Sequence, residues 1–232
     1  MQLLIFIAVL PAIILLYLVY KLDTVEKEPP GLLVRLFLLG GLTIVSAIII
    51  GTLADGFVSE LLPKESVIYI LIDNFLMVAL VEEGGKYVVL KHSTWRNQAF
   101  DYTFDAVVYA VTVSLGFAAF ENILYLMDFN LGTAILRGVL AVPGHAIDAI
   151  FMGCYYGMAK QCDAAGDNAG RQRNLRLALL LPVLLHGFYD FCLSMQQEFF
   201  LLVFLAFEVI VTVTAVRRIR RLSREDAPIG PN

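Results

Sequence analysis

Glu82 and Glu83, adjacent in the apolar segment Val81-Glu-Glu-Gly-Gly-Lys86, demand a chemical reason for their place. They have company. Glu121 and Asn122 follow Gly116-Phe-Ala-Ala-Phe120, His145 and Asp148 lie in a second apolar run, and His186 and Asp190 lie in a third. An ionisable side chain at the centre of a membrane helix costs at least about 2.5 to 3.5 kcal/mol on insertion scales, so several such groups on several helices point to function. A carboxylate with two imidazoles in a low-dielectric, partly hydrated cavity can activate water, because the carboxylate becomes a better general base there. Hydrolysis is the natural product. Two routes stay open. In one, His145, His186 and a carboxylate such as Glu121 hold Zn²⁺ with an open position for water, and Glu82 or Glu83 is the base. In the other, no metal is needed: the glutamate activates water and a histidine donates to the oxyanion. The chain has no His-Glu-x-x-His helix, the usual strong signature of a zinc peptidase.

Spacing within each segment supports the grouping. His186 and Asp190 are four apart and His145 and Asp148 three apart, so on a helix each acid can share a face with its histidine and orient it. Lys86 is three and four residues from the two glutamates and can neutralise one while the other acts. Glycines near these groups, among them Gly84, Gly85, Gly116, Gly144, Gly153 and Gly187, allow close helix approach or room for a substrate. Ordinary helix packing explains them equally well. His92, beside Lys91, reads as a solvated group, and Glu121 taken alone has a purely structural reading as a buried hydrogen-bond partner. The competing functional reading is a proton- or cation-coupled transporter, since chains of acids and histidines in membrane helices also mark ion pathways.

The elements that must position these groups are transmembrane helices. Of 232 residues, 59% are hydrophobic and only 16% charged, with a mean hydropathy of +0.77, against roughly 25% charged residues in soluble domains. Seven apolar runs approach the roughly 20 residues that a bilayer-spanning helix needs, near 3–20, 32–51, 67–89, 104–127, 131–158, 177–195 and 199–216. The expected fold is an all-α polytopic bundle, a single domain over 1–232, with 217–232 as a cytoplasmic tail. Lys and Arg accumulate in cytoplasmic loops. An outside N-terminus and inside C-terminus place every basic residue on the inner side except Lys64 and Arg137.

That topology permits a depth test. At 1.5 Å rise per residue, Glu82 lies about 22 Å and His145 about 21 Å from the outer ends of their runs. His186 lies roughly 16 Å from the outer face of a core about 30 Å thick. These share a layer. Glu121 falls roughly 10 Å closer to the outside unless its helix tilts, so it is the doubtful member.

Other functions are disfavoured. The first run lacks a basic n-region and a small-residue cleavage site, so it reads as a retained helix rather than a secretory signal. Cys154, Cys162 and Cys192 are too few for a disulfide framework. A net charge of −4 gives no case for nucleic acid, and the basic residues from Arg217 to Arg224 read as an anchor beside anionic lipid.

Glu82-Glu83-x-x-Lys86, Phe117-x-x-x-Glu121-Asn122, His145 and His186-Gly-x-Tyr189-Asp190 resemble, in order and spacing, the motifs of the PrsW family of intramembrane proteases, relatives of the CAAX prenyl endopeptidases. The acidic stretch from Asp23 to Glu28 followed by Pro29 is similar too. The resemblance covers nearly the whole chain. It implies a multi-pass endopeptidase of a bacterial cell membrane whose substrate is a membrane-anchored protein, an anti-sigma factor in characterised members, cut on the extracytoplasmic side. It also implies that the paired glutamates and His186 are essential. The relatives that process prenylated proteins have a histidine where this chain has Glu121, which argues against prenyl-protein processing. Proteases of this broader group are described as both metal-dependent and glutamate-dependent, so the resemblance leaves zinc open.

Overall fold

The structure is a computed structural model and describes residues 2–128 and 131–230. Every regular element in it is helical: α1 (Gln2–Leu22), α2 (Pro30–Leu61), α3 (Val67–Ile72), a π segment (Asp73–Ala79), α4 (Leu80–Thr94), α5 (Asp105–Asp128), α6 (Leu131–Val139), α7 (Ala141–Ala164), α8 (Asn168–Ser194) and α9 (Glu198–Arg224). Among the described residues, six helical stretches are long and apolar enough to cross a membrane. The expected third run is covered by α3, the π segment and α4 in unbroken succession. Residues 231–232 of the expected tail lie outside the described residues, and α9 carries the helix on to Arg224.

Helix α5 is the axis of the bundle. Its first half, Ala106-Val-Val-Tyr-Ala-Val111, is buried on every side, as expected for a helix apolar all round. It packs against α1, α2, α4 and α7. Glycine makes two of these approaches close enough for backbone contact. A Cβ on Gly40 would fall 2.0 Å from the carbonyl oxygen of Val113, and one on Gly116 would fall 2.0 Å from that of Phe37, so α2 and α5 touch through two reciprocal glycines. On the opposite face, Gly153 of α7 lies against the backbone of Val107, where a Cβ would be 2.6 Å from the Cα.

The fifth expected run, 131–158, lies within one membrane-length stretch, Leu131–Ala164, interrupted at Leu140 between α6 and α7. Pro143 has no amide proton, and its ring clashes with the carbonyl four residues back, at Val139, where α6 ends. Helix α7 restarts at Ala141, with Pro143 tolerated in its first turn. His145 therefore lies in the second turn of α7, well inside the stretch as a whole.

At the other end of α5 the C-terminal segment is tied down. Asp226 Oδ1 accepts from the amide of Phe104 at 2.8 Å and from the Thr103 hydroxyl at 3.0 Å, and the amide of Thr103 donates to Ala227 O at 3.0 Å. Ser223 reaches the carbonyl of Leu22. Between these contacts lie two acids that follow α1, Asp23 and Glu28, both almost fully enclosed. Glu28 accepts from the Tyr109 hydroxyl. Burial pushes the Asp23 carboxyl up to about 6, against the opposing pull of Lys27 and with the help of nearby Asp226 and Glu26.

A raised folded-state pKa means that the stability contributed by the protonated Asp23 is fully present below its ordinary value of 3.8 and is lost as pH rises through about 6. Asp23→Asn, which cannot ionise, is expected to raise the thermal midpoint in detergent at pH 8 but not at pH 4. A scan across that range checks it, and an equal shift at both ends would contradict it.

Candidate functional site

Four helices bring the polar groups to one place. Helix α4 supplies Glu82, Glu83 and Lys86, α5 supplies Glu121, α7 supplies His145 and Asp148, and α8 supplies His186 and Asp190. At the centre, Glu83 Oε1 receives Lys86 Nζ at 2.6 Å and His186 Nδ1 at 3.0 Å, and the Glu83 and Lys86 side chains are 0% and 1% exposed. Lys86 Nζ also lies 3.1 Å from His145 Nδ1 and 3.7 Å from Glu82 Oε2, and stands 4.1 Å above the ring of Phe117. Because an ammonium can only donate, Nδ1 of His145 must accept, so its proton sits on Nε2 and points at Glu121 Oε2, 3.0 Å away. His186 faces carboxylates at both nitrogens, Glu83 at Nδ1 and Asp190 at Nε2, the latter at 3.1 Å. The two imidazole centroids are 5.2 Å apart.

Local sequence explains part of this convergence. The π segment ends immediately before α4, and its wider turn, in which the amide of Leu80 reaches back five residues to Phe75 O, sets the direction in which Glu82 and Glu83 leave the helix. Phe75 in that segment presses on α8 at Gly187, where a Cβ would fall 2.5 Å from its ring. His186 can approach Glu83 only because the next residue has no side chain.

The structure places Glu121 in the cluster and removes the 10 Å offset expected from span depth. Glu121 Oε2 lies 3.0 Å from His145 Nε2, so the two side chains share a layer. Asp190 takes its expected place four residues after His186. Asp148 does not serve the histidine on its own helix: its Oδ2 lies 4.0 Å from Nδ1 of His186, while His145 is engaged by Lys86 and Glu121. Asn122 points away from the cluster, donating to Ala8 O at 2.8 Å and so joining α5 to α1. His92 is exposed.

One group escaped the sequence reading. Arg137 on α6 pairs with Glu121 Oε2 at 2.6 Å and lies 3.6 Å from the Tyr125 ring centroid. Its signal was present as an isolated arginine in an apolar run, but only the packing of α6 against α5 and α7 brings it to the site.

Arg137 lines a cavity of about 630 Å³ together with Glu82, Glu121, His145, Asp148, His186 and Asp190. Glu82 Oε2 and Glu83 Oε2 are buried with no hydrogen-bond partner among the described residues. Glu82, Glu83, His145 and His186 each present a ligand atom, all within 4.8 Å of one another. Two imidazoles and two carboxylates are a donor set suited to zinc. The charge balance agrees with it: five carboxylates face one lysine, one arginine and two histidines, so a divalent cation would offset surplus negative charge. The residues therefore fit such an ion, provided that each histidine gives up one of its two present contacts. Glu121, expected as the third ligand, is outside this group of four.

The chain matches, over residues 28–216, the family described as PrsW family intramembrane metalloprotease. A Protease PrsW of Oceanobacillus iheyensis is 37% identical over 211 residues, covering 91% of this chain and 92% of the relative. That of Bacillus subtilis is 35% identical over 203 residues, covering 85% and 86%, and that of Halalkalibacterium halodurans is 32% identical over 221 residues, covering 94% and 96%. No solved structure matches. None of these similarities supports the transporter reading.

The enclosed Lys86–Glu83 pair makes a stability prediction. Lys86→Met leaves the buried Glu83 with His186 as its one remaining described partner, an expected loss of about 3–5 kcal/mol. The double variant Lys86→Met/Glu83→Gln is expected to recover much of it. Thermal unfolding of wild type, both single variants and the double variant in detergent measures the coupling, and additive effects would count against it.

Proposed function

This chain belongs to the PrsW family of intramembrane proteases, and on that premise we propose that it cuts a membrane-anchored protein with Glu82 as the general base. The observation carrying this choice is the contrast between the neighbouring glutamates. Each has one oxygen without a hydrogen bond, but Glu82 lines the cavity, whereas Glu83 is fully buried with its other oxygen held by Lys86 and His186. Glu83 is then a positioning residue that holds His186.

Water in the cavity gives a proton to Glu82 as its oxygen attacks the scissile carbonyl carbon. His186 donates to the resulting oxyanion, and His145, held by Lys86 and Glu121, flanks it. The C–N bond breaks as Glu82 returns the proton to the leaving nitrogen, giving a carboxylic acid and an amine, and transfer of the acid's proton to the amine leaves a carboxylate and an ammonium. Asp190 and Asp148 keep His186 a donor. Zinc held by Glu83, His145 and His186, with the fourth position left to water and Glu82 left as the base, would add Lewis-acid polarisation of the carbonyl and a more acidic water.

The whole chain, 1–232, acts in this reading as one protease domain in a bacterial cell membrane. The distribution of Lys and Arg supports an outside N-terminus, which opens the Arg137 end of the cavity to the extracytoplasmic side. Cleavage of an anti-sigma factor near that face fits this orientation and the family resemblance.

Glu82→Gln is expected to lower cleavage of a co-reconstituted membrane-anchored substrate by about 100-fold or more, with the thermal midpoint unchanged because the amide gives up no strong pair. Retained cleavage in both Glu82→Gln and His186→Ala would sink the proposal. Elemental analysis of purified wild type beside a His145→Ala/His186→Ala double variant tests the metal. Stoichiometric zinc lost in the variant selects the metal-assisted route, and cleavage by zinc-free wild type selects the glutamate-only route.

A further inference from the structure

A second cavity, of about 370 Å³, lies between α2, the π segment and α5. It shares Val78, Glu82, Glu121 and Tyr125 with the larger one, so the proposed base stands in the wall of both. Their far walls differ in chemistry. Beyond the shared residues the larger cavity presents Arg137, Asp148, His186 and Asp190 beside Leu136, Leu140 and Leu193, whereas the smaller presents no charged group: Ile44, Ala47, Ile48, Met77, Phe117 and Leu124, with Thr52. A peptide drawn across Glu82 would have charged side chains on one side of the cut bond and uncharged, mostly apolar ones on the other. A membrane-anchored protein has that polarity change where its chain enters the bilayer.

The apolar chamber is open. Ile44, Ala47, Ile48 and Gly51 recur at the spacing of one helix face. About three turns before Gly51, at Gly40, α2 touches the backbone of α5, but at Gly51 it stands off: a Cβ there would meet nothing nearer than Met77 O at 3.6 Å. Ile48 is 52% exposed at the rim, so in a bilayer the groove faces lipid, and a segment leaving the hydrocarbon reaches Glu82 sideways without first crossing the polar cavity.

We propose that this groove is a substrate subsite, taking an apolar side chain from the membrane-spanning side of the bond cut at Glu82. It rests on the protease mechanism above and adds to it a location and a size limit: the floor of the subsite is set by Ala47 and Gly51. Residues with small side chains there leave space for a leucine- or phenylalanine-sized residue of the substrate, and a larger residue at either position fills it.

The test uses purified full-length protein in lipid vesicles, co-reconstituted with a library of single-span reporter proteins. Each reporter carries Gly, Ala, Val, Leu or Phe at successive positions through the outer end of its spanning segment, and cut sites are read by mass spectrometry. Wild type is expected to prefer Leu or Phe at one fixed position on the membrane side of the cut. Gly51→Leu is expected to lower the ratio of Phe- to Ala-reporter cleavage at least tenfold, and Ala47→Leu serves as an independent second variant. Thermal midpoints confirm that the variants fold. Wild-type cleavage with an unchanged size profile in both variants overturns the subsite, leaves the protease mechanism standing and assigns the groove to a lipid chain. A wild type that cuts no reporter, or a Glu82→Gln variant that cuts as well as wild type, overturns the mechanism and the subsite together.

Discussion

One cation inside the bundle holds the site together. The ammonium of Lys86 contacts Glu83 and His145, approaches Glu82 and sits over the ring of Phe117, touching groups from three helices with a side chain that is 1% exposed. In a low-dielectric interior such a charge is tolerable only when it is surrounded by acceptors. The acceptors are also the residues proposed for chemistry, so the requirement to neutralise Lys86 gathers them. It fixes the tautomer of His145 and thereby the hydrogen bond to Glu121, and the Glu83 oxygen that Lys86 holds also holds His186.

Such a network needs rigid supports, and the backbone supplies them by close approach rather than by large side chains. Gly40 and Gly116 seat α2 directly on α5, and Gly153 seats α7 on its other face. With α5 gripped in this way, Phe117 and Glu121 are presented to the cluster at constant height. The π segment works in the opposite sense. It widens the helix just before Glu82, so the same element that delivers the glutamates also bears Val78 and Met77, which border the second cavity. Close packing at one end of α2 and separation at the other produce a rigid core beside an open groove.

Much of this was legible beforehand because lipid imposes a severe rule: a buried ionisable group is expensive, so those present stand out against an apolar background. The spans, the paired glutamates, both site histidines and the His186–Asp190 pair follow from that rule and from helical spacing. The protease family was likewise readable from the ordered motifs. Depth counted residue by residue along single runs cannot see how helices tilt and pack, so Glu121 was misplaced relative to His145 and Arg137 was passed over. Spacing alone also assigned Asp148 to its neighbour in sequence, although the side chain serves a histidine on another helix.

The sequence by itself determined that the chain is a membrane-embedded bundle, which residues are costly to bury and which family they mark, because burial cost and helical periodicity are local properties of residue type and order. Only the tertiary structure decided which oxygen faces which nitrogen. Glu82 and Glu83 are adjacent and chemically identical, yet one is locked against Lys86 and His186 while the other opens on two cavities of unlike polarity. That difference depends on how α4, α5, α7 and α8 cross, on the turn at Pro143 and on the width of the π segment, and each of these reflects contacts between residues far apart in the chain.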